Sequence, residues 1–151
     1  MAAFYKKFKQ DLSNSQSSDN HAWPQASGKV YKMMLVTASY IFSENHNFVS
    51  DITNEVSGGT GYVRKTLSNK VLIAIGSNPT LYGWDCDDIT WTAPNGWTTA
   101  ASVIFLDKGG ADTANPIVCF IDGGTSPNNF PKTTNGSDFR FQVSASGLFK
   151  L

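Results

Sequence analysis

The chain has 151 residues, of which 40% are hydrophobic and only 16% are charged, with twelve basic residues balancing twelve acidic ones. This length suits one domain with a core of its own. A net charge of zero argues against partners such as nucleic acid or an anionic membrane surface, because both attractions are electrostatic. The sequence also contains no apolar run near the roughly 20 residues of a membrane span. We therefore expect neither a nucleic-acid partner nor a membrane partner.

The N-terminal segment divides into an apolar-faced stretch and a polar one. Apolar side chains at helical spacing predict a helix over residues 3–12. Polar residues 13–27 then predict an extended or mobile arm. The chain is accordingly divided into a helix and arm at 1–28 and a β domain at 29–151. The helix can contact a partner or pack on its own domain, and its candidate contact residues are Phe4, Tyr5, Phe8 and Leu12.

The rest of the chain is dominated by strand and turn signals. Apolar or alternating segments bounded by Gly, Pro, Asn or Asp predict strands at 29–40, 61–67, 70–76, 88–92, 101–107, 116–122 and 139–151. One short internal helix is predicted where Phe48, Ile52 and Val56 recur every four residues before two glycines. The predicted fold class is mainly β: an antiparallel β-sandwich, or a jelly-roll-like or barrel domain, with two short helices.

Two segments come close to known ligand-binding motifs. Residues 59–66 approach the phosphate-binding pattern GxxxxGK[ST], but Arg64 occupies the place of the second glycine and the segment is predicted to enter a strand. We interpret it as a glycine-rich turn. Asp85, Asp87 and Asp88 could hold calcium, yet they lack the spacing of an EF-hand loop. We interpret them as an acidic turn, and we predict no metal site and no cofactor.

Other chemistry-bearing residues also favour structural roles. His21 and His46 have no partner at zinc-ligand spacing, and no serine lies in a GxSxG motif. We therefore predict that the chain is not an enzyme. Cys86 and Cys119 are predicted to be buried free thiols. The aromatic-rich segment could form a sugar-binding platform, but a core role is favoured; its rings are Tyr82, Trp84, Trp91 and Trp97.

Six segments span about residues 29–151 in a distinctive order: KVYKMMLVTASYIF, NFVSDITNEVSGGTGYVRKTLSNK, DDITWTA, ASVIFLDKGG, PIVCFIDGG and TTNGSDFRFQVSASGLFKL. Together they resemble a family of small virion structural proteins of tailed bacteriophages. The family signature N-E-V-S-G-x-G-Y is matched by Asn54–Ser57 and by Gly61 and Tyr62, with Gly59 and Thr60 between them. There are two departures from the family pattern. Residues 144–147 lack the usual aspartate, and the segment TAPNGWT is long and is expected to form a loop.

The resemblance implies a component of a phage particle. The first expectation is a capsid decoration, or cement, protein that binds the outer head surface and stabilises neighbouring capsomers. Its partners would be the major capsid protein and copies of itself, as a homotrimer, and its location would be the virion, assembled in the host cytoplasm. A tail, neck or fibre component is the alternative, and a carbohydrate-binding module that uses the tryptophans is the second alternative.

Overall fold

The fold is mainly β, as predicted, in a computed structural model that describes residues 2–14, 28–75, 82–123 and 130–150. One α-helix, α1, covers Lys6–Ser13, and short 3-10 turns lie at Val49–Asp51 and Asp112–Ala114. The strands are β1 Ala2–Phe4, β2 Val30–Val36, β3 Lys65–Thr66, β4 Val71–Ala74, β5 Tyr82–Asp85, β6 Ile89–Trp91, β7 Asn95–Thr99, β8 Ala101–Asp107, β9 Ile117–Asp122, β10 Lys132–Asn135, β11 Phe139–Phe141 and β12 Phe149–Lys150.

A five-stranded antiparallel sheet with the strand order β1-β9-β8-β2-β3 forms the centre of the fold. Strands β2 and β8 pair along their whole length, from Val30 opposite Asp107 to Val36 opposite Ala101. Both strands are almost continuously apolar, and nearly all of their side chains are buried. Such continuous burial is expected of a sheet that is covered on both faces. The central sheet is therefore the inner layer of the domain.

Side chains of the central strands alternate between two cores. On one face, Met33, Leu35 and Ile104 pack with the aromatic residues of the smaller sheets. On the other face, Met34 and Phe105 pack beneath the connection between β2 and β3, residues 37–64, together with Tyr40, Val49 and Ile52. The period of two along a strand produces this division, since successive side chains point to opposite faces.

Three smaller antiparallel sheets cover one face of the central sheet. They pair β7 with β10, β6 with β11, and β5 with both β4 and β12. Among the described strands none of these sheets closes into a barrel. Of the predicted architectures, the layered arrangement therefore fits the sandwich and excludes a closed barrel for the described part of the chain.

The predicted boundaries of the two helices were wrong. Helix α1 begins at Lys6 rather than at residue 3, because Ala2–Phe4 pair with β9 as an edge strand. The predicted internal helix is only the 3-10 turn Val49–Asp51, whose Asp51 carboxylate accepts hydrogen bonds from the backbone N–H groups of residues 47 and 48. The chain then extends, and Glu55 forms a bridge with Val36 of β2. The spacing of four residues does not mark one buried face here, because Ile52 packs in one core and Val56 in the other.

Several strands were not predicted from the sequence. These are β1, β5, β7 and β10, and most of β7 lies in the segment TAPNGWT, which was expected to form a loop. Strands β7 and β10 are rich in Thr and Asn and owe their form to mutual pairing, with Lys132 opposite Thr99. Gly96 has φ +84°, a conformation that favours glycine. The polar composition of β7 and β10 therefore gave no local sign of this two-stranded sheet, whose strands are separated in sequence by β8 and β9.

The N-terminal segment packs on its own domain. Phe8 lies in the core beneath the small sheets, with Phe4 and Leu12 packed against it, whereas Tyr5 is fully buried in the opposite core. The structure thus supports the second of the two alternatives for this segment, and residues 2–14 are not a packing unit separate from the β domain. Most of the predicted arm, residues 15–27, lies outside the described residues.

Replacing Phe8 with alanine is expected to lower the free energy of unfolding by about 3 kcal/mol, because a buried ring is lost from a packed core. Urea unfolding followed by tryptophan fluorescence measures this change. Gln10→Ala, on the exposed face of α1, is the matched control and should change stability by less than about 0.5 kcal/mol. Equal stability of the two variants would contradict the packing of α1 on the sheet.

Candidate functional site

A cluster of hydrogen-bonded polar side chains lies beside β2, and we call its four members, Glu55, Tyr62, Arg64 and Asp112, the Arg64 cluster. The guanidinium of Arg64 donates to both carboxylate oxygens of Glu55, from Nε at 2.8 Å and from Nη2 at 2.7 Å. It also donates to both oxygens of Asp112, from Nη1 at 2.7 Å and from Nη2 at 2.9 Å. Two forked contacts of this kind fix the guanidinium plane.

Tyr62 completes the hydrogen bonding of β2. The backbone N–H of Leu35 donates to the Tyr62 hydroxyl at 3.0 Å, and that hydroxyl donates to Glu55 Oε1 at 2.7 Å. On the same edge, the Leu35 carbonyl accepts from the N–H of Val56 at 2.9 Å. A buried backbone N–H needs a partner, and here a side-chain hydroxyl supplies it. Tyr62 therefore fills the gap on β2 between Val56 and β3.

The electrostatics of the cluster favour the ion pairs. The Arg64 hydrogen bonds hold the pKa of the Asp112 carboxyl below its usual range, with the Arg64 charge adding to the effect. Burial, together with its hydrogen bond to Glu55, raises the pKa of the Tyr62 phenol. The Arg64 guanidinium also lies 5.5 Å from the centre of the Phe105 ring, within the range of a cation–π contact. The cluster therefore joins the connection after β2 to the turn after β8.

The hydrogen bonds of the Arg64 cluster have a structural role. Four of the five N–H donors of Arg64 are engaged by carboxylates, so the guanidinium has little capacity left for an anionic ligand. The glycines that precede it serve close packing. A Cβ at Gly59 would overlap the Asn95 carbonyl oxygen, and Gly59 and Gly61 both have positive φ values. These contacts with the start of β7 support the interpretation of residues 59–66 as a turn.

The acidic residues around Cys86 are engaged in local contacts. Asp87 accepts a hydrogen bond from Asn69 at 2.7 Å, and Asp88 accepts one from the Val143 N–H at 2.7 Å and pairs with Arg140 at 2.6 Å. A small polar cleft beside them is lined by Lys65, Ser68 and Thr90. Within the described ranges, no three His, Cys, Asp or Glu side chains lie close enough together to bind a metal ion.

The three tryptophans of the aromatic segment are core residues. Trp84, Trp91 and Trp97 are each at most 4% exposed, whereas Tyr82 is 44% exposed. The indole N–H of Trp91 donates to the Val63 carbonyl at 2.8 Å. Trp97 makes the same kind of bond to Thr60 at 3.0 Å. Because the ring faces are covered, these tryptophans do not form a sugar-binding platform, and the core interpretation is supported.

Cys86, Cys119 and His46 also have structural roles in the described chain. Cys86 and Cys119 are both buried and free, which confirms the prediction, and burial raises the pKa of the Cys86 thiol to about 12. The Nδ1 atom of His46 lies 2.9 Å from the Tyr40 hydroxyl, which lies 3.0 Å from that of Tyr5. This chain of polar groups anchors the N-terminal segment. His21 lies outside the described residues.

Sequence reasoning does not predict the Arg64 cluster. In the sequence, Arg64 stands out only because it interrupts a phosphate-loop pattern, and Glu55 only within the segment that carries the resemblance. Asp112 lies 48 positions from Arg64, so no spacing rule connects them. A usable signal was the scarcity of charge, since only two glutamates occur in the chain. A charge placed next to a buried strand needs a partner.

Comparisons with known proteins add no relative: no family model, no curated protein and no solved structure matches this chain. In the part of the chain that the structure describes, no helix has the length and hydropathy that a bilayer crossing requires.

Tyr62→Phe is expected to lower the free energy of unfolding by about 2 kcal/mol, because the Leu35 N–H and Glu55 each lose a partner in a partly buried setting. Urea titration measures the loss. Tyr82→Phe is the matched control, since its ring is exposed, and it should leave stability within about 0.5 kcal/mol of the parent chain. A Tyr62→Phe variant as stable as this control would contradict the proposal that the Tyr62 hydroxyl stabilises the fold through its hydrogen bonds to Leu35 and Glu55.

Acid should weaken the fold partly through Asp112. Its pKa is lowered in the folded chain, so its contribution to stability is complete above the ordinary carboxyl pKa near 4 and is lost as the pH falls through the lower folded value. Asp112→Asn should therefore reduce the slope of stability against pH between about pH 2 and pH 5. Asp138→Asn, outside the cluster, is the control, and an unchanged slope in Asp112→Asn would contradict this assignment.

Proposed function

We propose that this chain is a structural protein of a tailed-phage virion, and that it acts as a capsid decoration protein on the outer head surface. The observation that carries the proposal is the resemblance of residues 29–151 to the family of small virion structural proteins. Two of its signature residues, Glu55 and Tyr62, are joined by a hydrogen bond beside β2, so the signature has a structural role in this fold. The proposed partners are the major capsid protein and further copies of this chain, as a homotrimer.

The character of the described surface and core is consistent with a binding role rather than with catalysis. Charges are few and balanced, so the chain can approach a protein lattice without strong repulsion. The residues first considered for chemistry are engaged in packing, ion pairs and backbone hydrogen bonds. A rigid plug made of layered sheets suits repeated attachment to a symmetric head, where many weak contacts add together.

Of the two roles that the sequence leaves open for the N-terminal segment, packing on its own domain is the one used in this proposal. Its aromatic face contacts the chain's own sheet, so it is not available to a capsid subunit in this conformation. The outward face of α1 remains exposed at Lys6, Lys9 and Gln10, and Lys9 pairs loosely with Glu44 at 3.4 Å. A contact between α1 and the head would therefore use these polar side chains rather than Phe4, Tyr5, Phe8 and Leu12.

The location can be tested on particles of the phage that carries the chain. We expect a tagged chain to co-sediment with purified tailless heads until its sites are saturated, and gold-labelled antibody to mark heads in electron micrographs. Label confined to isolated tails would overturn the decoration proposal in favour of a tail, neck or fibre component. Absence of the chain from particles, measured by mass spectrometry, would overturn the virion proposal itself.

Charge reversal tests the outward face of α1. Lys6→Glu is expected to weaken head binding several-fold without unfolding the chain, because an acidic residue is tolerated in the first turn of a helix. Lys132→Glu is the matched control, because Lys132 on β10 is also exposed. Equal binding by both variants in the co-sedimentation assay would exclude this face of α1 from the contact.

A further inference from the structure

Strand β4 is an open and apolar edge in the described structure. It is the outer strand of the sheet ordered β12-β5-β4, and no described residue pairs with its second side. The residues from Val71 to Ile75 are all apolar and uncharged. Two of the large hydrophobic residues that are exposed in the described chain, Val71 and Tyr82, belong to β4 and its partner β5. Soluble proteins usually protect such an edge with charge, proline or a cover.

The hydrogen-bond register shows which groups of β4 point outward. The Trp84 carbonyl accepts from Leu148 N–H at 2.7 Å, on the side of β5 that faces β12. In an antiparallel ladder, the N–H and C=O of one residue point to the same side. Trp84 is opposite Leu72, so this pair is not hydrogen-bonded and the Leu72 groups point to the free edge. The same alternation directs the N–H and C=O of Ala74 outward.

We propose that β4 pairs with β4 of a second copy of this chain, antiparallel about a twofold axis at Ile73. This register sets Ile73 opposite Ile73, Leu72 opposite Ala74, and Val71 opposite Ile75. The outward N–H and C=O groups of Leu72 and Ala74 then bond across the axis. Every opposed pair is apolar, so no like charges meet across the axis. The chain has no net charge, so two copies do not repel each other electrostatically as they associate.

The second copy suits this edge better than a strand added from an unrelated protein, because the segment is complementary to itself about its own centre. A twofold contact also closes after one addition, so the edge is saturated in a dimer and does not propagate into a fibre. The two copies would form one six-stranded sheet in the order β12-β5-β4-β4-β5-β12. This dimer does not depend on the virion proposal. It is the assembly expected of the free chain in solution, whereas the homotrimer is proposed for the chain bound to the head.

Substitution at the axis gives a decisive test. In Ile73→Lys, two lysines would face each other across the twofold axis, and in Ile73→Glu two glutamates would do so. Each variant alone is expected to dissociate at least about tenfold more readily than the parent dimer, because like charges directly opposite destabilise a strand pair. An equimolar mixture should restore a dimer that contains one chain of each kind. Light scattering and native mass spectrometry of the purified chain measure these masses.

A backbone variant and a control separate pairing from folding. Ala74→Pro removes an outward N–H without removing a β4–β5 hydrogen bond, so it should weaken the dimer and leave thermal unfolding of the monomer intact. Ile41→Lys, at an 82% exposed loop residue, should leave the dimer unchanged. A parent chain that stays monomeric at all concentrations, a trimer insensitive to Ile73→Lys, or a mixture that fails to form the mixed dimer would each overturn the proposal. Binding to heads is measured separately, so either proposal can fail without the other.

Discussion

The burial of both faces of the central sheet is the constraint on which the rest of the structure depends. Alternate side chains of β2 and β8 enter different cores, so neither face can be left to solvent. The small sheets cover one face, and the connection from β2 to β3 covers the other. A long connection with little regular structure is stable here because its apolar side chains, such as Val49 and Ile52, are held by the sheet beneath.

The two edges of the central sheet are hydrogen-bonded in different ways. At the β9 edge the chain adds its own β1, which brings Tyr5 and Phe8 into opposite cores. At the β2 edge, short stretches of backbone leave a gap that the Tyr62 hydroxyl fills. Arg64 and the indole N–H groups of Trp91 and Trp97 then hold the same connection in place. Side-chain hydrogen bonds here satisfy backbone groups that a longer neighbouring strand would otherwise satisfy with its own backbone.

The sequence could predict what was dictated by local pattern. Strands β2, β8 and β9 were foreseen because a continuous apolar run has few alternatives to a buried strand. Strands β7 and β10 were missed because Thr-rich and Asn-rich segments become strands only through a distant partner. The internal helix was predicted from spacing alone, while Asp51 instead closed a single turn. Contacts across 48 residues, such as that between Arg64 and Asp112, are a property of the fold and have no local signal.

The residues of the N-E-V-S-G-x-G-Y signature have structural roles inside the domain. Glu55 and Tyr62 form hydrogen bonds within the domain, and Gly61 packs against Pro94, so a chain must keep them in order to keep this fold. Head and tail components built on one fold would share these residues equally. Their difference must lie in surface groups that the fold does not require, because partner choice depends on surface charge and complementarity. On the described chain those groups include the outer face of α1 and the free edge of β4, so the proposed attachment to a head and its tail alternative would be distinguished at these two surfaces.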